Sequence, residues 1–114
     1  MRYVFDFDGT IVNTDLEYNI LSVDEKMVEK INNLYYKGHT VIIWTGRHWD
    51  KLDLTKKQLE KIGVGFHTLL MAKPTADYYI DDRAMDPEKF HELYEPQQHT
   101  GYLQQEKPGE QCKP

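Results

Sequence analysis

Two aspartates, Asp6 and Asp8, are the first residues of the sequence whose type and spacing point to chemistry. They stand two positions apart at the end of the apolar segment 3–7, so in an extended strand both side chains point to the same side. A second acidic pair, Asp81 and Asp82, follows a later apolar segment. Carboxylates that crowd together resist ionisation unless a cation compensates their charge. If these aspartates meet, they predict a site for a divalent cation, and Mg²⁺ is the expected ion because it prefers oxygen ligands.

Polar side chains also follow the two other predicted strands. Thr45 comes directly after the apolar segment 40–44, and Lys73 follows the segment 66–71. The carboxyl ends of parallel strands lie at one edge of a sheet, and ligands bind at that edge. We therefore expect Thr45 and Lys73 to join the acidic pairs on one rim, where the lysine offsets part of the negative charge.

The elements that would position this rim alternate along the chain. Short segments rich in aromatic and β-branched residues predict strands at 3–7, 40–44, 66–71 and 78–80. Helical spacing and capping residues predict a helix over 24–37, a second from Asp50 or Asp53 to Gly63, and a third that begins near Pro87 with Asp86 as its N-cap. Residues 11–21 have an irregular pattern. Alternating strands and helices are typical of an α/β fold, here a three-layer sandwich with a mostly parallel sheet.

Four short motifs, in this order, resemble those of the haloacid dehalogenase-like (HAD) phosphohydrolases. They are Asp6-Phe7-Asp8-Gly9-Thr10, Ile43-Trp44-Thr45-Gly46-Arg47, Lys73-Pro74 and Tyr79-Ile80-Asp81-Asp82. The resemblance spans residues 1–86 and implies the HAD-like Rossmannoid fold. The intervals between the motifs are too short for a cap domain, so the chain resembles the small capless members of the family.

The resemblance implies a role for each of four residues in phosphate ester hydrolysis. Asp6 would attack phosphorus and form an aspartyl phosphate. Asp8 would protonate the leaving oxygen and later deprotonate the attacking water. Thr45 would donate a hydrogen bond to a phosphoryl oxygen, and Lys73 would neutralise the charge that builds up on the phosphoryl group.

The resemblance also implies which residues hold Mg²⁺. The Asp6 carboxylate and the Asp8 backbone carbonyl would be two ligands, and the last motif would supply the third. Asp82 is the favoured third ligand, and Asp81 remains open as the alternative. Asp86 also stands at a spacing from Asp82 that the family uses, although its place before a proline favours a helix N-cap.

Substrate contacts are expected next to the second motif, from Gly46, Arg47 and Trp49. Arg47 would either grip an anionic group with two N–H donors or form a structural ion pair, and Trp49 would stack on a base or a sugar. Without a cap the pocket would be open. The expected partner is a phosphorylated substrate, and a nucleotide, a phosphosugar and a polynucleotide end all suit such a pocket.

Composition limits the classes of function. The chain has 114 residues, with 19 acidic against 14 basic side chains and a net charge of −5, which disfavours nucleic acid as a partner without excluding it. No apolar run reaches the roughly 18 residues of a membrane-spanning helix. No signal peptide is visible, and the only cysteine, Cys112, precludes an internal disulfide, so we expect a cytoplasmic location.

One domain is predicted over residues 1–95, because a single core usually organises roughly 100–200 residues. Residues 96–114, which are rich in Gln, Pro, Gly, Glu and Lys, are expected to form a flexible tail. A protein this small could complete its pocket as a homo-oligomer. The sequence predicts a Mg²⁺-dependent phosphomonoesterase; the alternative is a catalytically weak module that binds phosphate or a partner.

Overall fold

The computed structural model describes residues 1–94, in which short strands alternate with three α-helices. The strands are β1 (Arg2–Phe5), β2 (Val12–Thr14), β3 (Ile20–Val23), β4 (Thr40–Trp44) and β5 (Thr68–Leu70). The helices are α1 (Glu25–Tyr36), α2 (Leu52–Ile62), which follows a 3-10 turn at Trp49–Lys51, and α3 (Pro87–Leu93). The predicted tail and the last residue of the predicted domain lie outside the described residues. No helix within residues 1–94 is long and apolar enough to cross a membrane.

A three-stranded parallel sheet positions the site. Its strand order is β1-β4-β5, with Val4 opposite Ile42 and Ile43 opposite Leu69. The central strand β4 has the predicted bounds, while β1 and β5 are shorter than predicted. The mixed α/β class with a mostly parallel sheet is therefore confirmed. All three strands end at one edge, as the rim requires.

The hydrophobic core lies between one face of this sheet and the helices. Its sheet side is formed by Phe5, Val41 and Ile43, and α1 contributes Met27, Val28, Ile31 and Leu34. Helix α1 begins where the Asp24 carboxylate accepts the Met27 N–H at 3.0 Å, which satisfies a backbone donor of the first turn. It ends before Gly38, whose φ of 91° lies in a region that glycine adopts without strain.

The opposite face of the sheet is only partly covered. Val4 on β1 is 56% exposed and Leu70 on β5 is 43% exposed. The sequence pattern of β4 predicts helices on both faces, but Ile42 and Trp44 on that strand are half-buried while Val41 and Ile43 are fully buried. The apolar side chains on this face therefore lie outside the hydrophobic core, which forms on the other face of the sheet.

Residues 11–21, which have an irregular pattern, contain most of a hairpin. Strands β2 and β3 pair antiparallel, and their register shifts by one residue near Thr14. The Asp15 carboxylate closes the loop between them by accepting the backbone N–H groups of Glu17 and Asn19 and the side-chain amide of Asn19. These hydrogen bonds, chiefly those from Asn19, lower the pKa of Asp15. Each strand is too short for alternation to show in the sequence.

The predicted fourth strand at 78–80 is wrong. No strand or helix forms between β5 and α3, and Tyr78 and Ile80 are exposed at 83% and 97%. The pair Tyr78-Tyr79 is therefore not in the core. Only residues 71–77 separate the end of β5 from this segment, whereas a crossover to another parallel strand needs about a dozen residues or more. The segment has the composition of a strand, but the connection before it is too short to bring it into the sheet as a further parallel strand.

Helix α3 starts at Pro87, and the Asp86 carboxylate caps it by accepting the Lys89 N–H at 3.0 Å, as predicted. Neither Asp50 nor Asp53 caps α2, which grows out of the 3-10 turn. The helix α3 packs its Phe90 ring edge-on against Phe5.

Candidate active site

Asp6 lies at the carboxyl end of β1, with one oxygen held and the other facing a lysine. Its Oδ1 accepts the Phe7 N–H at 2.8 Å, and its Oδ2 is 3.7 Å from Lys73 Nζ. Burial raises the pKa of Asp6 above its ordinary value; the Phe7 N–H and the Lys73 charge oppose this rise, and the nearby Asp8 adds to it. The carboxylate is thus costly to ionise and attractive to a cation.

Lys73 is placed by main-chain hydrogen bonds that continue the sheet beyond its strands. The Lys73 N–H donates to the Thr45 carbonyl at 2.9 Å, and the Ala72 N–H donates to the Arg47 carbonyl at 2.8 Å. The ammonium of Lys73 lies 4.5 Å from the centre of the Tyr79 ring and 5.4 Å from that of Trp44. The structure therefore brings together Asp6 and Lys73 from the ends of two strands.

Arg47 is buried in an ion pair, as one of its two interpretations expects. It is 1% exposed, and its guanidinium binds Asp8 with two hydrogen bonds: Nη2 to Oδ1 at 2.8 Å and Nε to Oδ2 at 2.9 Å. Asp8 Oδ1 also accepts the Thr14 hydroxyl at 3.4 Å. Because Arg47 is buried, loss of Asp8 would leave a buried charge without its partner, which typically destabilises a protein by about 3–5 kcal/mol. The structure therefore shows the ion pair, and a contact between Arg47 and a substrate stays a prediction.

The far side of the guanidinium is occupied as well. Its Nη1 donates to the Thr55 hydroxyl at 3.1 Å and to Gln58 Oε1 at 2.7 Å. The guanidinium carbon lies 4.8 Å and 4.6 Å from the ring centres of Phe7 and Tyr18. Thr55 and Gln58 stand three positions apart in the helix that follows Arg47, a spacing that places both on one face and was the only sign of this network in the sequence.

The other residues of the second motif differ in their access to solvent. Thr45 is fully buried, and its hydroxyl accepts the Arg47 N–H at 3.2 Å; its hydrogen bond to a phosphoryl oxygen stays a prediction. A Cβ at Gly46 would lie 3.5 Å from the Lys73 carbonyl, an ordinary van der Waals distance, so the two loops are neighbours at this point. Trp49 is 61% exposed and free to contact a ligand near the rim. Its role in substrate binding stays a prediction.

The predicted metal-ligand set is not assembled. Within residues 1–94, no group of three or more His, Cys, Asp or Glu side chains is arranged to hold a metal ion. Asp81 accepts the Arg83 N–H at 2.9 Å, and both Asp81 and Asp82 are exposed on the segment that forms no strand. The two Asp8 oxygens are taken by Arg47. The donor chemistry suits Mg²⁺ at Asp6, whose desolvated carboxylate would gain from a cation, but the third acidic ligand is not in place.

Comparisons with known proteins agree with this fold. A sequence model of the haloacid dehalogenase-like hydrolase family matches residues 3–104, and the chain belongs to this family. The fold is similar to the crystal structure of a target protein from Vibrio cholerae, with a TM-score of 0.68 and 26% sequence identity over 78% of this chain and 85% of that chain. No curated protein matches the sequence. Family membership supports a hydrolase with a HAD-like Rossmannoid fold.

Proposed function

We propose that the protein is a phosphomonoesterase that works through an aspartyl phosphate on Asp6. The observation that carries the proposal is the pairing of Asp6 Oδ2 with Lys73 Nζ at 3.7 Å, at the carboxyl edge of a parallel sheet. A carboxylate beside an ammonium can receive a phosphoryl group whose charge the ammonium then offsets. The nearby Asp8 supplies an acid and base on the same loop. The open rim suits a phosphate ester without a cap domain closing over it.

The proposed reaction has two steps. An oxygen of Asp6 attacks phosphorus while the bond between phosphorus and the ester oxygen breaks. The ester oxygen keeps the electron pair of that bond and takes a proton from Asp8, so the alcohol leaves and Asp6 carries the phosphoryl group. A water molecule then gives a proton to Asp8 and attacks phosphorus, which releases inorganic phosphate and restores the Asp6 carboxylate. Throughout, Lys73 offsets charge on the phosphoryl oxygens.

Mg²⁺ belongs to the proposal through the chemistry of its ligands. The Asp6 carboxylate would bind the ion, together with the Asp8 carbonyl and Asp82. When bound, Mg²⁺ neutralises negative charge on phosphoryl oxygens. Calorimetric titration with Mg²⁺ tests this part: we expect uptake by the wild type and a clear loss of affinity in Asp6→Asn. Equal Mg²⁺ affinity in the two proteins would show that Asp6 does not bind the ion.

Substitution of Asp6 tests the proposed reaction. We expect Asp6→Asn to lower turnover of 4-nitrophenyl phosphate by about 10³-fold or more, because an amide cannot form the intermediate. The exposed Asp77→Asn serves as the matched control and should keep wild-type turnover. Turnover by Asp6→Asn at the wild-type rate, with thermal unfolding showing both variants folded, would overturn the reaction.

A module that binds phosphate without turnover is the second candidate. Two observations favour it: Asp81 and Asp82 are exposed, and no group of three or more His, Cys, Asp or Glu side chains within residues 1–94 is arranged to hold a metal ion. Both candidates bind inorganic phosphate near Lys73. Only the ester assay separates them, because a binding module releases no alcohol.

A further inference from the structure

The proposed reaction gives no role to Arg47, whose guanidinium pairs with Asp8. Arg47 is fully buried beneath the rim, and four of its hydrogen bonds are made to three side chains from other parts of the chain. We propose that Arg47 is a positioning residue, which sets where the Asp8 carboxylate stands for proton transfer. The inference rests on the proposed function and assigns to this site a residue that touches neither substrate nor phosphorus.

The geometry of the pair fixes the direction of the Asp8 carboxylate. Two N–H groups of one planar guanidinium meet the two oxygens, at 2.9 Å and 2.8 Å. A bidentate bond of this kind fixes the plane of the carboxylate as well as its distance, which a single ammonium does not. Asp8 has 29% of its side chain exposed, so this side chain, unlike that of Arg47, is partly accessible to solvent.

The position of Arg47 is set in turn by two separate elements. On α2, Thr55 and Gln58 accept hydrogen bonds from Nη1, and Gln58 Nε2 donates to the Tyr18 carbonyl at 2.7 Å. The loop of the β2–β3 hairpin lays the Tyr18 ring over the guanidinium. Helix and hairpin therefore hold Arg47 from two directions, and through Arg47 they hold Asp8.

Loss of this positioning should change the relative rates of hydrolysis of two esters, whereas a general loss of structure should not. An ester with a poor leaving group depends on the proton from Asp8, whereas 4-nitrophenolate leaves readily as an anion. A displaced Asp8 should therefore slow the poor leaving group far more than the good one. A variant that is merely less stable, with a smaller folded fraction, should slow both esters by the same factor.

The experiment compares kcat/KM for benzyl phosphate and 4-nitrophenyl phosphate across a small set of variants. Asp8→Asn gives the reference profile, with an expected loss of about 10²–10⁴-fold on benzyl phosphate and a smaller loss on 4-nitrophenyl phosphate. We expect Arg47→Lys to follow the same profile, with a loss about tenfold greater on the benzyl ester than on the nitrophenyl ester. The exposed Lys56→Gln on α2 is the matched control and should leave the ratio unchanged.

A second variant covers the outcome in which Arg47→Lys fails to fold. Gln58→Leu keeps the arginine and removes its 2.7 Å support, so we expect the same shift in ratio, smaller in size. Equal losses on the two esters in both variants would overturn the positioning role. Independently of turnover, the Nε–Hε group of Arg47 should give a slowly exchanging NMR signal that moves in Asp8→Asn. If the wild type gives no such signal, the bidentate pair is contradicted. If the wild type hydrolyses neither ester, only the phosphatase proposal is contradicted.

Discussion

Asp6 carries its charge where the surroundings stabilise charge poorly. Burial raises its pKa, and the Phe7 N–H and Lys73 only partly offset that effect. The folded protein therefore holds the Asp6 proton more tightly than the unfolded chain does, for which the ordinary value is 3.8. Between that value and the raised one, stability falls as pH rises, and the loss remains at neutral pH. The residue proposed as nucleophile is thus a cost to the fold.

Asp6→Asn should recover this stability in metal-free buffer. At pH 7 with EDTA, we expect the variant to unfold at a higher temperature than the wild type, because the amide needs no compensating charge and still accepts the Phe7 N–H. The gain should disappear as pH falls below the ordinary value of 3.8, where the wild-type carboxyl is protonated in both states. Differential scanning calorimetry over this pH range measures it. An Asp6→Asn variant that is less stable than the wild type at pH 7 would contradict the raised pKa.

At the scale of elements, α3 is attached to α1 by one polar chain of contacts. The ammonium of Lys30, which is only 7% exposed, lies 2.9 Å from His91 Nδ1 and 3.1 Å from the His91 carbonyl. Because Nδ1 accepts from the ammonium, His91 carries its proton on Nε2 and donates it to Asp24 Oδ2 at 3.2 Å. The carboxylate that caps α1 thus also holds α3.

His91→Ala should loosen this attachment. Lys30 would lose one of its acceptors in a buried position, and we expect a cost of about 1–3 kcal/mol in the free energy of unfolding. The matched control is Glu92→Ala on the same helix: its pair with Lys89 spans 4.0 Å between side chains exposed at 70% and 56%, so its loss should cost about 1 kcal/mol at most. Urea unfolding compares the two. A larger cost for Glu92→Ala than for His91→Ala would show that α3 is held in another way.

The elements differ in how far the sequence alone could predict them. Strand β4 and helix α1 were predicted well because their apolar periodicity agrees with the tertiary structure there, although the sequence did not single out Asp24 as the N-cap of α1. The segment 78–80 has the composition of a strand, yet the short connection from β5 denies it a place in the sheet. Arg47 is buried because α2 and the hairpin loop both pack against it. No local sequence pattern indicates that these two distant segments come together. Local signals succeed where distant parts of the chain do not compete with them.

Across the whole molecule, the two faces of the sheet have unequal importance for stability. Leu34 on α1 is fully buried, whereas Leu70 on the outward face of β5 is 43% exposed. Parallel sheets in α/β proteins are ordinarily covered on both faces. Substitution of these two leucines can therefore measure how much each face of the sheet contributes to the free energy of unfolding.

The same substitution at both positions should therefore have different costs. We expect Leu34→Ala to lower the free energy of unfolding by about 2–5 kcal/mol, because it leaves a cavity in the core. Leu70→Ala should cost about 1 kcal/mol or less. Denaturant titrations at several protein concentrations measure both. A cost for Leu70→Ala as large as that for Leu34→Ala would mean that something covers this face in solution.

The hydrogen bonds from Ala72 to Arg47 and from Lys73 to Thr45 have a consequence for how this protein can change. The hydrogen bond at position 73 joins peptide groups, so it survives any exchange of the Lys73 side chain except one to proline. An exchange of the amino acid at 73 can alter the electrical character of the edge while its contour is preserved. Substitution of Lys73 can therefore change the charge of the site while the backbone at this position keeps its hydrogen bond.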